Sequence, residues 1–109
     1  MVIAHEAPPI TADASGVCRV GGTRITLETI LTCYRDGAGA EEIANRFPAV
    51  SLADIHATIA YYLHHRSEVD AYLAKRERQA EQVRARIEAA AQWDDFRQTL
   101  ESRLRAKRP

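Results

Sequence analysis

The spacing of apolar residues changes character three times along the chain, and each change predicts a different kind of element. Residues 1–16 hold short apolar pieces broken by Pro8, Pro9 and Gly16. Proline offers no amide to a strand ladder, so this stretch reads as an extended arm in which any strand lies at an edge. Val17-Cys18-Arg19-Val20 and Thr23-Arg24-Ile25 flank Gly21-Gly22 in a loosely alternating, β-branched pattern. That pattern predicts one or two short strands at a glycine turn. A lone pair of strands is marginal in water and needs a partner, either the helices that follow or the same arm of a second subunit.

From Thr26 the period is helical. Leu27, Ile30, Leu31 and Tyr34 share a face behind a threonine able to cap free amides, which predicts a helix over 27–35 closed by Asp36-Gly37. A second helix over 40–47 carries Glu41 and Glu42 in its first turn, where carboxylates meet the positive end of the helix dipole, and stops at Pro48. Ser51 caps a third helix with Leu52, Ile55, Ile59, Tyr62 and Leu63 as its apolar face, ending near His65 or Arg66. Ser67 is placed to cap a fourth of about 26 residues, to Gln92, roughly 39 Å long at 1.5 Å per residue.

The fourth helix has too thin an apolar stripe to be one side of a small core. Val69, Leu73, Arg76, Ala80, Val83, Ile87 and Ala90 follow one another by steps of four and three, a seam for another helix interrupted once by a charge. At Trp93 the phase slips by one residue, and Trp93, Phe96, Leu100 and Leu104 form a separate row that no core in this chain is left to receive. The fold class expected is mainly α, with a small N-terminal β element, a helix-turn-helix domain and a long C-terminal helix. Its parts are residues 1–66 (arm and helix-turn-helix), 67–92 (connecting helix) and 93–109 (partner-binding segment).

Composition narrows the functional classes. With 109 residues, 46% hydrophobic, and 15 Lys plus Arg against 15 Asp plus Glu, the chain has the profile of a globular protein and room for one ordinary domain with a helical extension. No run of 18 apolar residues occurs and the start lacks a signal-peptide pattern, so a cytoplasmic protein with no membrane partner is expected. Cys18 and Cys33 lack paired spacing and read as small hydrophobes. Zero net charge weakens a nucleic-acid reading, but the charge is uneven, −2 over residues 1–66 and +2 over 67–109, with four cations and no acid in the last seven residues.

The second helix, the turn over 48–50 and the third helix give a helix-turn-helix outline. Ser51, His56 and Thr58 are the groove-reading candidates on the third helix, with Arg19, Arg24 and Arg46, and beyond them Arg35 and Arg66, available for phosphates. Catalysis finds no comparable set. His64 and His65 diverge by about 100° on a helix, Asp94 and Asp95 are adjacent rather than facing, and Gly21-Gly22 lacks the lysine and long helix of a phosphate loop. Neither enzyme activity, cofactor nor metal is expected.

Gly22-Thr23-Arg24-Ile25, Ile30-Leu31, Asp36-Gly37, Glu41-Glu42-Ile43, Phe47-Pro48, Asp54-Ile55 and Ala60-Tyr61-Tyr62, in that order, resemble the domain of unknown function 433 family over about residues 10–75. The resemblance implies a winged-helix or helix-turn-helix fold with a small N-terminal sheet. It also implies an antitoxin of VapB type, partnered with a PIN-like ribonuclease toxin. Two positions depart from the family pattern: Cys18 stands where proline is usual, restoring a strand donor, and Gly39 stands where a polar cap is usual.

The combined reading is an antitoxin that dimerises through its arm and residues 17–25 and binds operator DNA. In this reading it inhibits its cognate toxin through Trp93, Phe96, Arg97, Leu100, Arg103 and Leu104, with residues 93–104 ordering only on the toxin. The alternative is a stand-alone regulator or a coiled-coil adaptor with no toxin.

Overall fold

The computed structural model describes residues 1–106; of the basic tail, Lys107, Arg108 and Pro109 lie outside them. Strand β1 (Ile10–Ala12) pairs antiparallel with β2 (Cys18–Val20) in the register Ile10 to Val20, Thr11 to Arg19 and Ala12 to Cys18. The turn between them is held by Asp13, whose Oδ1 accepts from the amides of Ser15 at 2.8 Å and Val17 at 3.1 Å. Those amides, Val17 above all, together with Arg19, hold the Asp13 carboxyl below its ordinary pKa. A depressed folded-state pKa contributes stability above the ordinary carboxylate range, and that contribution disappears as pH falls through the folded value.

The strand partner therefore comes from within the chain. Residues 10–12 of the arm pair with β2 within one chain, and the turn between the strands lies at 13–16 rather than at the glycine pair. Gly21 and Gly22, at φ +63° and +66°, instead fold the chain back so that the Val20 amide donates to the Ile25 carbonyl at 2.9 Å and Arg19 bridges Thr26. Of the two glycines, Gly21 is the constrained one: a Cβ there would sit 3.0 Å from Asp54 Oδ2, whereas nothing lies within 4 Å of one on Gly22. Gly21→Ala is expected to cost about 1–2 kcal/mol from its left-handed backbone, with the Asp54 contact on top. Gly22→Ala bears the backbone cost alone, and urea unfolding of the two variants measures the difference.

Helix α1 (Leu27–Arg35) begins at Thr26, whose hydroxyl accepts from the Thr29 amide at 3.3 Å, and α2 (Ala40–Arg46) begins at Gly39 without a side-chain cap. Helix α3 (Leu52–His64) starts at Ser51, whose Oγ accepts from the Asp54 amide at 3.1 Å. Val20, Leu27, Ile30, Leu31, Ile43, Val50, Ile55 and Tyr62 form the core. The face that α3 buries is turned from the one its apolar residues suggest: Ile55, Thr58 and Tyr62 are inside, Ile59 is half-buried, and Leu52 and Leu63 are 40% and 48% exposed. Thr58 is admitted because its hydroxyl donates to the Asp54 carbonyl at 2.7 Å, so no polar atom is stranded.

Only His65, at φ −130° and ψ 41°, separates α3 from α4 (Arg66–Ala106). Ser67 thus lies inside the first turn of α4 rather than capping it. Val69 is buried, and Asp70 Oδ1 accepts from Tyr62 Oη at 2.9 Å and from Arg35 Nη2 at 2.6 Å. Tyr62 and Asp70 hold the Arg35 guanidinium above its ordinary pKa. Residues 1–71 form one compact unit and residues from 72 onward a second. Helix α4 continues unbroken through Gln92 and Trp93 to Ala106. No glycine or proline lies between Pro48 and Pro109, so the phase slip at Trp93 changes which face is apolar and leaves the helix intact.

Candidate functional site

Trp93, Phe96, Leu100 and Leu104 lie within roughly 80° of one another around α4 at 100° per residue, so the helix turns a spaced sequence pattern into one continuous surface. Their exposures are 61%, 55%, 42% and 61%, and the Trp93 and Phe96 rings lie 5.9 Å apart, tilted by 38°. Singly exposed apolar residues are ordinary, but four large ones in one row are not. Arg97, beside the row, reaches Asp94 at 3.6 Å, and Arg105 reaches Glu101 at 3.8 Å; all four are exposed, and such surface pairs are weak enough to exchange for a partner's charges. Arg103 is exposed on the same helix.

The DNA-facing candidates fare differently. Thr58 is fully buried and bonded to its own helix, which removes it from any groove-reading surface. Ser51 is committed to the α3 cap. Arg46 Nη2 donates to Glu42 at 3.2 Å and its Nη1 to Cys33 Sγ at 3.7 Å. Arg19 donates to the Arg24 carbonyl at 2.9 Å and lies 3.4 Å from Asp13. Arg24 and His56 are exposed. The outward side of α3 is thus Leu52, Ala53, His56, Ala60, Leu63 and His64, with imidazoles as its side-chain hydrogen-bonding groups. A shallow groove of about 450 Å³ runs between residues 6–9 and α3, lined by Pro8, Pro9, Ala57, Ala60, Tyr61 and His64 among others.

Sequence reasoning missed the Arg35–Tyr62–Asp70 cluster, in which the guanidinia of Arg35 and Arg66 also lie 5.8 Å and 5.6 Å from the Tyr62 ring centre. Its one legible signal was the polar tip of a tyrosine on an apolar helix face, which requires a partner when buried. Among the described residues no group of three or more His, Cys, Asp or Glu is placed to hold a metal, and no helix is long and apolar enough to cross a membrane.

The hairpin, the cap at Thr26 and the α2–turn–α3 arrangement together form one contiguous stretch of chain. Residues 12–62 match the model of a family described as Protein of unknown function (DUF433). The match supports the resemblance read from the sequence, and it covers somewhat less than half of the chain. No curated protein and no solved structure gives a significant match. The matched segment runs from the end of β1 to Tyr62, so it contains most of the compact unit and all of the DNA-facing candidates but Arg66. It contains none of α4, and the Trp93 row therefore has to be understood from its own chemistry.

Proposed function

We propose that this protein is the antitoxin of a type II toxin–antitoxin pair, a non-catalytic inhibitor whose C-terminal helix binds a small ribonuclease of PIN-like type. The observation that carries the reading is the exposed row of Trp93, Phe96, Leu100 and Leu104. Side chains of this size contribute about 1.5–3 kcal/mol each when fully buried, and an amphipathic helix laid in an apolar groove is the simplest way to bury four at once. Arg97 and Arg103 flank the row and offer two cations to carboxylates of a nuclease site. The family resemblance supplies the class of partner. Residues 93–104, expected to order only on the toxin, are helical within α4 of the single chain, so docking does not bear the entropy of ordering a coil.

The experiment is co-expression with the small nuclease that this reading requires to be encoded beside the gene. Growth should be restored by the full chain and not by a chain lacking the row. Toxicity that the full chain fails to relieve removes the reading.

Autoregulation by operator binding is the second part of the proposal, and it rests on the helix-turn-helix outline. Because α3 presents few base-reading donors, phosphate contacts from Arg24 and its neighbours carry most of the affinity. Binding to the protein's own promoter should therefore weaken steeply, by ten-fold or more, between about 50 and 200 mM salt. Equal retention of promoter and unrelated DNA in a mobility-shift assay at both salt concentrations argues against operator recognition.

A further inference from the structure

A second face of α4 lies about 120° around the helix from the Trp93 row at 100° per residue, and nothing in the proposed function uses it. It is the seam of Leu73, Arg76, Ala80, Val83, Ile87 and Ala90, with Val83 51% and Ile87 63% exposed. We propose that this seam is a homodimer interface in which two copies of α4 pair antiparallel, about a twofold axis between residues 81 and 82.

The order of side chains selects both the occupant and its direction. In a parallel, in-register pair each seam residue meets itself. Arg76 would face Arg76, a buried like-charge contact, while Ala80 and Ala90 would face alanines and leave gaps. Reversing one copy about residues 81 and 82 removes all three faults. Leu73 then meets Ala90 of the second copy, Val83 meets Ala80, and Ile87 packs on the aliphatic stem of Arg76, so that each large side chain faces a small or flexible one.

Charge agrees with size. The residues flanking an antiparallel seam on one side are Glu77 and Arg84, and the same twofold brings Glu77 of each copy beside Arg84 of the other, giving two opposite-charge contacts. In the parallel arrangement Glu77 and Arg84 would instead neighbour Tyr72 and Gln79. Within one chain Arg84 is paired with Glu81, and both are exposed, so Arg84 can also receive a carboxylate from a second copy. The overlap from Leu73 to Ala90 is about 27 Å long at 1.5 Å per residue, and it leaves the Trp93 row free on another face. The inference stands independently of the identity of the toxin.

Sedimentation equilibrium on the full chain tests it, with circular dichroism confirming that each variant keeps its helicity. The wild type should dimerise. Glu77→Arg and Arg84→Glu should each weaken the dimer roughly ten-fold, because each change removes two opposite-charge contacts and creates two like-charge ones. Mixing the two variants should yield a heterodimer tighter than either homodimer, since every contact is then between opposite charges. The antiparallel arrangement predicts that last result directly, because it sets residue 77 of each copy against residue 84 of the other. A wild type that stays monomeric at about 100 µM overturns the proposal. A dimer indifferent to both charge changes, or variants that gain nothing on mixing, overturns it equally.

Discussion

On the proposed antitoxin reading, ending the chain after Gln92 should abolish binding and inhibition of the toxin while leaving the unfolding transition of residues 1–71 where it is in the full chain. The buried side chains of the core, from Val20 to Val69, all precede the cut, and Trp93, Phe96, Leu100 and Leu104 all follow it. The seam from Leu73 to Ala90 also remains, so self-association and toxin binding should separate cleanly in this one variant. Within the full chain, Trp93→Ala and Phe96→Ala should each weaken toxin binding by more than about 1 kcal/mol, since paired aromatic anchors near the centre of an interface carry a disproportionate share of its energy. Isothermal titration against the nuclease, made inactive so that it can be expressed, reads both effects. Full affinity in the truncated chain would move toxin contact onto residues before 93.

Ile55→Ala should destabilise the compact unit strongly, by about 2–5 kcal/mol. Ile55 is fully buried on the face of α3 that meets the core, in a unit of 71 residues. At about 0.05–0.15 kcal/mol per residue the whole stability of such a unit is about 4–10 kcal/mol, so this one cavity removes much of it. Leu63→Ala on the same helix should fall within about 0.5 kcal/mol of wild type, because Leu63 is 48% exposed. Urea unfolding followed by circular dichroism compares the two. Equal costs would mean that the buried face of α3 includes Leu63.

That pair of variants marks a place where pattern and packing diverge. Leu52, Ile55, Ile59, Tyr62 and Leu63 span about 100° around the helix, an ordinary width for a buried stripe, so hydropathy alone gives no sign that the core sits to one side of it. Packing chose the side that contains Thr58, whose hydroxyl is satisfied within its own helix. The same choice leaves Leu52 and Leu63 outside and takes Thr58 away from the DNA-facing set. The seam of α4 and its Trp93 row were legible because they follow from helical period alone. The cluster of Arg35, Tyr62 and Asp70 was not, because its members are 27 and 35 residues apart for the two contacts of Arg35.

What the sequence determined by itself was local. Thr26 and Ser51 cap helices as their side-chain oxygens dictate, Asp36-Gly37 and Pro48 end helices by backbone geometry, and the periods of three and four place the row and the seam on α4. What only the tertiary structure decided was which partner each local element took. β1 of the same chain pairs with β2, where the pattern had left open whether the following helices or the arm of a second subunit would support the strands. The Asp13 turn, rather than the glycine pair, joins the strands. The fourth helix runs through Gln92, where a change of apolar phase suggested a boundary. Caps, turns and periods are set by a residue and its near neighbours, whereas strand partners and buried faces are set by competition among surfaces distant in sequence, and a pattern along the chain does not rank those competitors.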